Sequence, residues 1–532
     1  MYLKSLVYQH FTPQHVFINY NSLTNQNDDL KGIFAIVKKK NKRIILKNLE
    51  ITAYAAEGRA LAKMDGKVIF VSGAVPGDNA DVLLTKNKKD WAEGRVVQIR
   101  EYSQERVAPF CRHFGTCGGC KWQMLPYEKQ LQYKQQEVAQ NLQRIAKVEL
   151  PEIFPIIGAA DTVHYRNKLE FTFSNKRYLL PEEIAPPILP EGEGNGEDGT
   201  VRKETSNSRV FKVLPFGEDL GGALGFHVPR IFDKVLDIQE CFLMDDINNT
   251  IRNTIRSFAL ENNYSFYDAR EHTGWLRNII IRYCSTGELM VNICLNYDEA
   301  NDRTQLFDHL LKQVPSITTL LYTINPKWND SIYDLVPQVY HGKGFVMEKL
   351  ENFQFKVSPK SFFQTNTGQA EKLYAVARDF AELSGNEVVY DLYCGTGSIG
   401  IFVSALAKKV IGVEVIEDAI ADAKENAALN NINHAEFFAG DVIRICNAEF
   451  FEQHGRPDVI ITDPPRAGMH EKLINKLLEI AAPKIVYVSC NTATQARDIG
   501  LLGEKYSVEK IQPVDMFPHT HHIECVVLLK LK

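Results

Sequence analysis

No stretch of this 532-residue chain approaches the roughly 18 apolar residues that a bilayer-spanning helix needs. Its opening, MYLKSLVYQHFTPQHVF, also lacks the unbroken apolar centre of a secretory signal. These absences speak against membrane insertion and export, and the expectation is a cytoplasmic protein. A dominant charge is missing too, since 61 Lys and Arg face 66 Asp and Glu for a net of −5. That balance does not exclude a nucleic-acid partner, because the acidity is local. The stretch 181–199, PEEIAPPILPEGEGNGEDG, holds Glu182, Glu183, Glu191, Glu193, Glu197 and Asp198 with no base among them. Setting those six aside turns −5 into +1, so clusters matter more than the total. One basic cluster, Lys38, Lys39, Lys40, Lys42 and Arg43, suits RNA phosphates in a salt-dependent manner, although such runs also serve as plain solvated faces.

What is present divides the chain into parts. Residues 1–43 are polar and mixed and stay unassigned. Over 44–103, short β-branched runs (RIILKNLEIT, GKVIFVSGAV, ADVLLTK, GRVVQIR) alternate with glycines, the pattern of a small all-β barrel. Residues 104–350 mix helical and strand signals and include YEKQLQYKQQEVAQNLQRI (127–145), whose apolar spacing predicts an amphipathic helix. The insert 181–209 is rich in Pro, Gly and Glu and reads as a loop. Within 351–532, from about 384 onward, strand, glycine turn, helix and strand alternate. EVVYDLY, KKVIGVEV, DVIITD, KIVYVSC and ECVVLLKL imply a mostly parallel sheet wrapped by helices. Ligands of such sheets bind at the carboxyl ends of the strands, which directs attention to the residues standing there.

The first of these strands ends in DLYCGTGSIG (391–400), whose glycines permit a tight turn and close approach of a ligand to the backbone. This spacing also occurs in dinucleotide folds, but those seldom open on DLYCGTG, so a methyl donor is the better ligand. The next strand ends in Glu414, an acid placed for ribose hydroxyls. A third ends in DPPRAGM (463–469), where two prolines fix the chain after Asp463. Enzymes that methylate exocyclic amines usually follow such prolines with an aromatic residue. Here Arg466 follows, which suits a phosphate or a base oxygen.

A fourth strand ends in VYVSCN and sets Cys490 at the same edge, while Glu524 opens a strand that should run back beside it. A lone cysteine on an apolar strand is ordinarily a small buried hydrophobe, but its company here points to chemistry. Carbon 5 of uracil is a poor nucleophile. Thiolate attack at carbon 6 makes the 5 position enolate-like and able to accept a methyl group, after which a base must remove the carbon-5 proton. Cys490 and Glu524 meet those two needs. Elsewhere Cys111, Cys117 and Cys120 crowd ten residues, CRHFGTCGGC, with Cys241, Cys284 and Cys294 as candidates for a fourth ligand and Cys241 preferred. Three clustered thiols plus a distant one suit an iron–sulfur cluster. Zinc, which favours paired short spacings, is the rival.

Together these features resemble the uridine-5 RNA methyltransferases, specifically the iron–sulfur-containing branch acting on 23S ribosomal RNA. The likeness runs over roughly 45–532. It implies an α/β fold: a C-terminal Rossmann-like class I methyltransferase domain, an N-terminal OB-like TRAM barrel carried by GKVIFVSGAVPGDNADVLL (66–84), and a central α+β domain holding the cluster. It implies S-adenosylmethionine as donor and a [4Fe-4S] cluster on Cys111, Cys117, Cys120 and Cys241. SFFQTN (361–366) resembles the segment whose glutamine lies at the donor site, implicating Gln364. Tyr393, Ser398, Glu414, Asp441 and Asp463 match donor-contacting positions, with Ser398 standing where many members carry asparagine. VYVSCN and HHIEC match the nucleophile and base motifs. The expected protein is thus a monomeric enzyme that flips a uridine of 23S ribosomal RNA into its site. The alternatives are the same reaction on transfer RNA, a radical enzyme with a TRAM domain, whose cysteine spacing differs from this one, and an inactive RNA-binding assembly factor.

Overall fold

The computed structural model describes residues 44–180, 183 and 222–532. The basic run at 38–43 and nearly all of the acidic insert lie outside the described residues. Among those described, the strands form four sheets.

The first sheet comprises β1 (Ile45–Glu50), β2 (Ala53–Ala55), β3 (Arg59–Met64), β4 (Lys67–Ser72), β5 (Asn79–Asn87) and β6 (Trp91–Glu101), in the order β1-β5-β6-β4-β3-β2. Alternate residues such as Ile69 and Val71 enter a small core with Leu49, Ala62 and Val82. A side chain at Gly94 would meet Val82 Cγ1 at 2.4 Å, so the close approach of β5 and β6 needs glycine there.

The central sheet comprises β7 (Lys168–Ser174), β8 (Arg177–Tyr178), β9 (Ala223–His227), β10 (Val235–Asp237), β11 (Leu276–Tyr283), β12 (Leu289–Leu295), β13 (Thr319–Ile324) and β14 (Gln338–His341), in the order β14-β13-β12-β11-β7-β9-β10-β8. The helices Ile247–Glu261 and Ala300–Gln313 bury Ile251, Ile255, Leu306 and Phe307 against it. The expected division at 350 falls inside a hairpin, β15 (Val346–Leu350) with β16 (Phe353–Val357). This hairpin packs on the C-terminal part, where Asn426 Oδ1 accepts from the Lys356 amide at 2.8 Å.

The C-terminal sheet holds β17 (Val388–Leu392), β18 (Lys409–Glu414), β19 (Ala435–Ala439), β20 (Val459–Thr462), β21 (Lys484–Ser489), β22 (Tyr506–Val514) and β23 (Glu524–Leu531), in the order β19-β18-β17-β20-β21-β23-β22. β17 to β21 are parallel, whereas β23 runs antiparallel between β21 and β22. Apolar cores cover both faces, which is why these strands read as near-continuous hydrophobic runs.

The predicted helix at 127–145 is present as Tyr127–Asn141, extended by a wider turn over Leu142–Ala146. Its buried stripe, however, is polar at two of its first three positions, Gln130, Lys134 and Val138. Lys134 is fully buried because its ammonium lies 2.6 Å from Asp515 Oδ1, itself fully buried. Tyr127 Oη donates to the other oxygen of Asp515 at 2.9 Å. A charge tolerates such burial only when paired and hydrogen-bonded, and the partner lies far along the chain, out of reach of any local pattern.

Candidate active site

The carboxyl edge of the parallel strands gathers most of the residues singled out above. After β17 the chain turns through Tyr393, Gly395 and Gly397, all with positive φ (63°, 54° and 77°). Gly400 lets the following helix approach until its amide donates to Asp391 Oδ2 at 2.8 Å, and a Cβ there would press on that oxygen at 3.0 Å. Asp391 is a functional candidate that sequence reasoning left as a mere motif opener. Its other oxygen is buried without a partner, and burial reinforced by Asp463 and Glu414 pushes its carboxyl up to about 7.

At the end of β18, Glu414 Oε1 accepts from the amides of Val415 and Ile416 at 2.7 and 3.1 Å. Asp441 caps a short helix by accepting from the Ile443 amide at 2.8 Å. Tyr393 lies near both acids, for burial and then their charges raise its phenol to about 12. Ser398 sits 3.0 Å from the hydroxyl of Tyr374, a buried ring on the helix Thr367–Ala381 that feels Asp463, Asp391 and Glu524. Nothing in the local sequence marked Tyr374. Gln364 is buried, with its backbone carbonyl accepting from Asn167 Nδ2 at 2.9 Å. Its segment is tied to the loop before β23, since Asn366 Nδ2 donates to the Met516 carbonyl at 2.9 Å.

Cys490 follows β21, and Glu524 begins β23. Because Ser489 pairs with Cys525 across the two strands, the two side chains become neighbours. Burial first, then Glu524 and Asp463, push the Cys490 thiol up to about 12, against the opposing charge and hydrogen bond of Arg466. Asp463 is raised to about 7 by burial. Glu524 is raised well above the usual carboxylate range by burial and by Asp463, again opposed by Arg466. Arg466 also donates to His522 Nδ1 at 2.7 Å, and its backbone carbonyl accepts from Asn491 Nδ2 at 3.1 Å. Burial and Arg466 hold His522 down to about 4, so the ring is neutral and accepts. Arg466 therefore links the thiol to His522, a contact the HTHH run did not advertise.

The four cysteines of the expected cluster line one cavity, with His113, Gln123 and Glu240 beside them. All four are free thiols. Burial is the main cause holding Cys117 near 12 and Cys120 near 11, and each is raised further by Cys111 and Cys241. Behind Cys241 lies Arg252, fully buried, whose three hydrogen bonds go to neutral acceptors, the Ile238 carbonyl and the side-chain oxygens of Asn248 and Asn249. Among the described residues no three His, Cys, Asp or Glu stand close enough to hold a single metal ion. Zinc would need sulfurs about 3.8 Å apart, given bonds of ~2.3 Å in a tetrahedron. A four-iron cluster, whose thiolates bind different corners, needs them spread around a cavity. The four cysteines here share the lining of one cavity without three of them converging on a single point.

The C-terminal part is a class I, S-adenosylmethionine-dependent methyltransferase fold. A solved tRNA (uracil-54, C5)-methyltransferase from Pyrococcus abyssi, in complex with S-adenosyl-L-homocysteine, superposes with a TM-score of 0.67 at 24% identity, covering 91% of this chain and 100% of that one. Residues 338–532 match the tRNA (Uracil-5-)-methyltransferase family and residues 47–97 match the TRAM domain. An uncharacterized RNA methyltransferase from Bacteroides thetaiotaomicron is 52% identical over 482 residues, spanning 90% of this chain and 100% of its own length. Another from Chlorobaculum tepidum is 38% identical over 484 residues, 90% of this chain and 95% of its own. The chain belongs to the RNA methyltransferases, and its C-terminal part, residues 338–532, matches their uracil-5 family.

Proposed function

We propose that the protein methylates carbon 5 of a uridine in 23S ribosomal RNA through a covalent bond between Cys490 and carbon 6. The observation that carries this reading is the pairing of β21 with β23, which sets a thiol and a carboxyl side by side at the donor edge. Cys490 attacks carbon 6 as the thiolate that each turnover returns, and the electrons of the 5,6 double bond shift to form an enolate. Arg466 is placed to balance that negative charge. Carbon 5 takes the methyl group of the sulfonium donor, Glu524 removes the carbon-5 proton, and the C–S bond breaks to return the thiolate and restore the double bond. All three acids Asp391, Asp463 and Glu524 are raised by burial, and the charge of Asp463 raises Asp391 and Glu524 further. The same crowd of carboxyls suits a cationic donor, whose arrival favours their ionised forms. Gln364, Tyr393, Ser398, Glu414, Asp441 and Asp463 are assigned to donor binding, with Glu414 directed to the ribose.

We assign Cys111, Cys117, Cys120 and Cys241 to a [4Fe-4S] cluster. The shared cavity and the buried guanidinium of Arg252, which would offset an anionic centre, support the assignment. The domain plan expected from sequence, with the TRAM sheet at 44–103 holding RNA, the central domain at 104–350 and the methyltransferase domain at 351–532, is kept in this reading except that the last boundary moves back to the start of the hairpin at Val346. The matched family's name refers to tRNA, which makes methylation of transfer RNA the second reading. Mapping 5-methyluridine in 23S and transfer RNA from cells with and without the gene decides between them. A 5-methyluridine lost from 23S RNA supports the first, one lost only from tRNA the second, and no change in either overturns both.

A further inference from the structure

The segment from Asn325 to Leu335, between β13 and β14, exposes large rings yet is braced like a core. Arg277, only 1% exposed at its side chain, donates to the carbonyls of Asn325, Lys327 and Asn329 and pairs with Asp330. Asn325 Nδ2 donates to the Asn329 carbonyl at 2.9 Å, and Lys327 ties to the Ser331 carbonyl at 2.7 Å and to Asp334. Ile332 pins the loop from below against Ile280 and Cys294. On this frame Trp328 is 81% exposed and lies flat on His272, ring centroids 4.7 Å apart and planes within 2°. Tyr333 is 64% exposed.

An exposed indole costs free energy in water, and a loop that spends this many hydrogen bonds to fix one has removed the entropy that ordering it on contact would cost. The loop is also continuous with the approach to the candidate active site. Lys360 Nζ donates to the Tyr333 carbonyl at 3.2 Å, and Phe362, 68% exposed, lies two residues before Gln364. Aromatic faces of this kind stack unpaired bases whatever their sequence.

We propose that the exposed rings of Trp328, Tyr333 and Phe362 form a stacking platform for unpaired bases of the substrate RNA flanking the target uridine. The proposal rests on the reading of the chain as an RNA uridine methyltransferase. It commits to RNA because Lys360, which holds the loop at the Tyr333 carbonyl, also pairs with Asp418 in the helix that follows the strand-end acid Glu414. Lys327 and Lys360 are already paired with Asp334 and Asp418, so stacking and not phosphate charge is the expected source of affinity.

The test is binding of a short single-stranded oligouridylate to the full-length protein, followed by fluorescence anisotropy over a series of salt concentrations. Trp328→Ala and Tyr333→Ala should each weaken binding by roughly tenfold. Trp328→Phe should stay near wild type, and the dependence of affinity on salt should keep its slope because no phosphate contact is lost. Unchanged thermal unfolding of the variants, expected for such exposed side chains, keeps the comparison fair. Alanine variants that bind as tightly as wild type, or that lose affinity only through a shallower salt slope, overturn the platform. So does finding that these variants bind RNA normally but release a protein partner. Failure of the uridine reading would appear separately, as methylation surviving Cys490→Ala.

Discussion

Two groups of cysteines in this molecule have their acidity moved the same way by the same main cause, yet they keep opposite company. Around Cys111, Cys117, Cys120 and Cys241 the neighbours are one another and the buried cation Arg252. Around Cys490 the neighbours are two carboxyl groups and Arg466, which in turn bonds the neutral His522. A raised thiol pKa therefore assigns no role. The neighbours, and not the shift, separate the two proposed roles: a cluster held among the four thiols, and a nucleophile at the single thiol beside acids and an arginine.

The sharpest way to break this contrast is Cys490→Ala. Methylation should fall on the order of 10⁴-fold or more, while calorimetric binding of S-adenosylhomocysteine stays as in wild type. Measurable turnover at the wild-type rate would remove the nucleophile. Glu524→Gln should slow release by roughly 10²–10⁴-fold, so that a denaturation-resistant RNA–protein band builds up on gels. A variant that turns over normally, without the band, would free Glu524 from the role of base.

A third change probes what joins the two regions. Lys134→Met leaves Asp515 buried and alone, which should cost about 3–5 kcal/mol of unfolding free energy. Adding Asp515→Leu should recover most of it. Equal destabilisation by both variants in denaturant titrations would mean that packing, not the pair, matters there. Cys241→Ser should abolish the broad visible absorption and the roughly four irons expected of protein purified without oxygen. Stoichiometric zinc in the wild type would overturn the cluster.

The smallest effect is electrostatic. Asp463 is held up at about 7 in the folded protein against an ordinary 3.8. The folded state thus keeps its proton longer than the unfolded chain does, and ionising it costs stability as pH rises between those values. A cationic donor reverses the preference. Its affinity should rise by up to about tenfold as pH passes through the neutral range, and Asp463→Asn should flatten that rise.

The strand ends were legible because a parallel sheet covered on both faces writes its strands as apolar runs, and chemistry can stand only where those runs stop. Glu524 could be placed beside Cys490 for the same reason, since a strand returning along the sheet edge must end near where its partner ends. Lys134 could not be read this way. Its position on the buried stripe depends on Asp515, and helix periodicity carries no information about a partner from another element. Tyr374, Asp391 and the Arg466–His522 contact were hidden likewise, because each acquires its meaning from a neighbour that only the folded chain supplies. The two short strands at 53–64 were missed because they are brief and carry small or charged residues, leaving little alternation to detect.

The loop between β22 and β23 is held from outside the catalytic sheet on several sides. Tyr127 and Lys134 grip Asp515, Gln130 grips the His519 amide at 2.8 Å, and Tyr165 donates to the Pro518 carbonyl at 2.9 Å. The amides of Lys121 and Trp122, directly after Cys120, donate to the His519 carbonyl at 2.8 and 3.1 Å. A half-molecule that began at the hairpin would keep every strand-end signature of the transferase and lose each of these ties, so the loop that leads into Glu524 is set by the central part as well as by its own sheet.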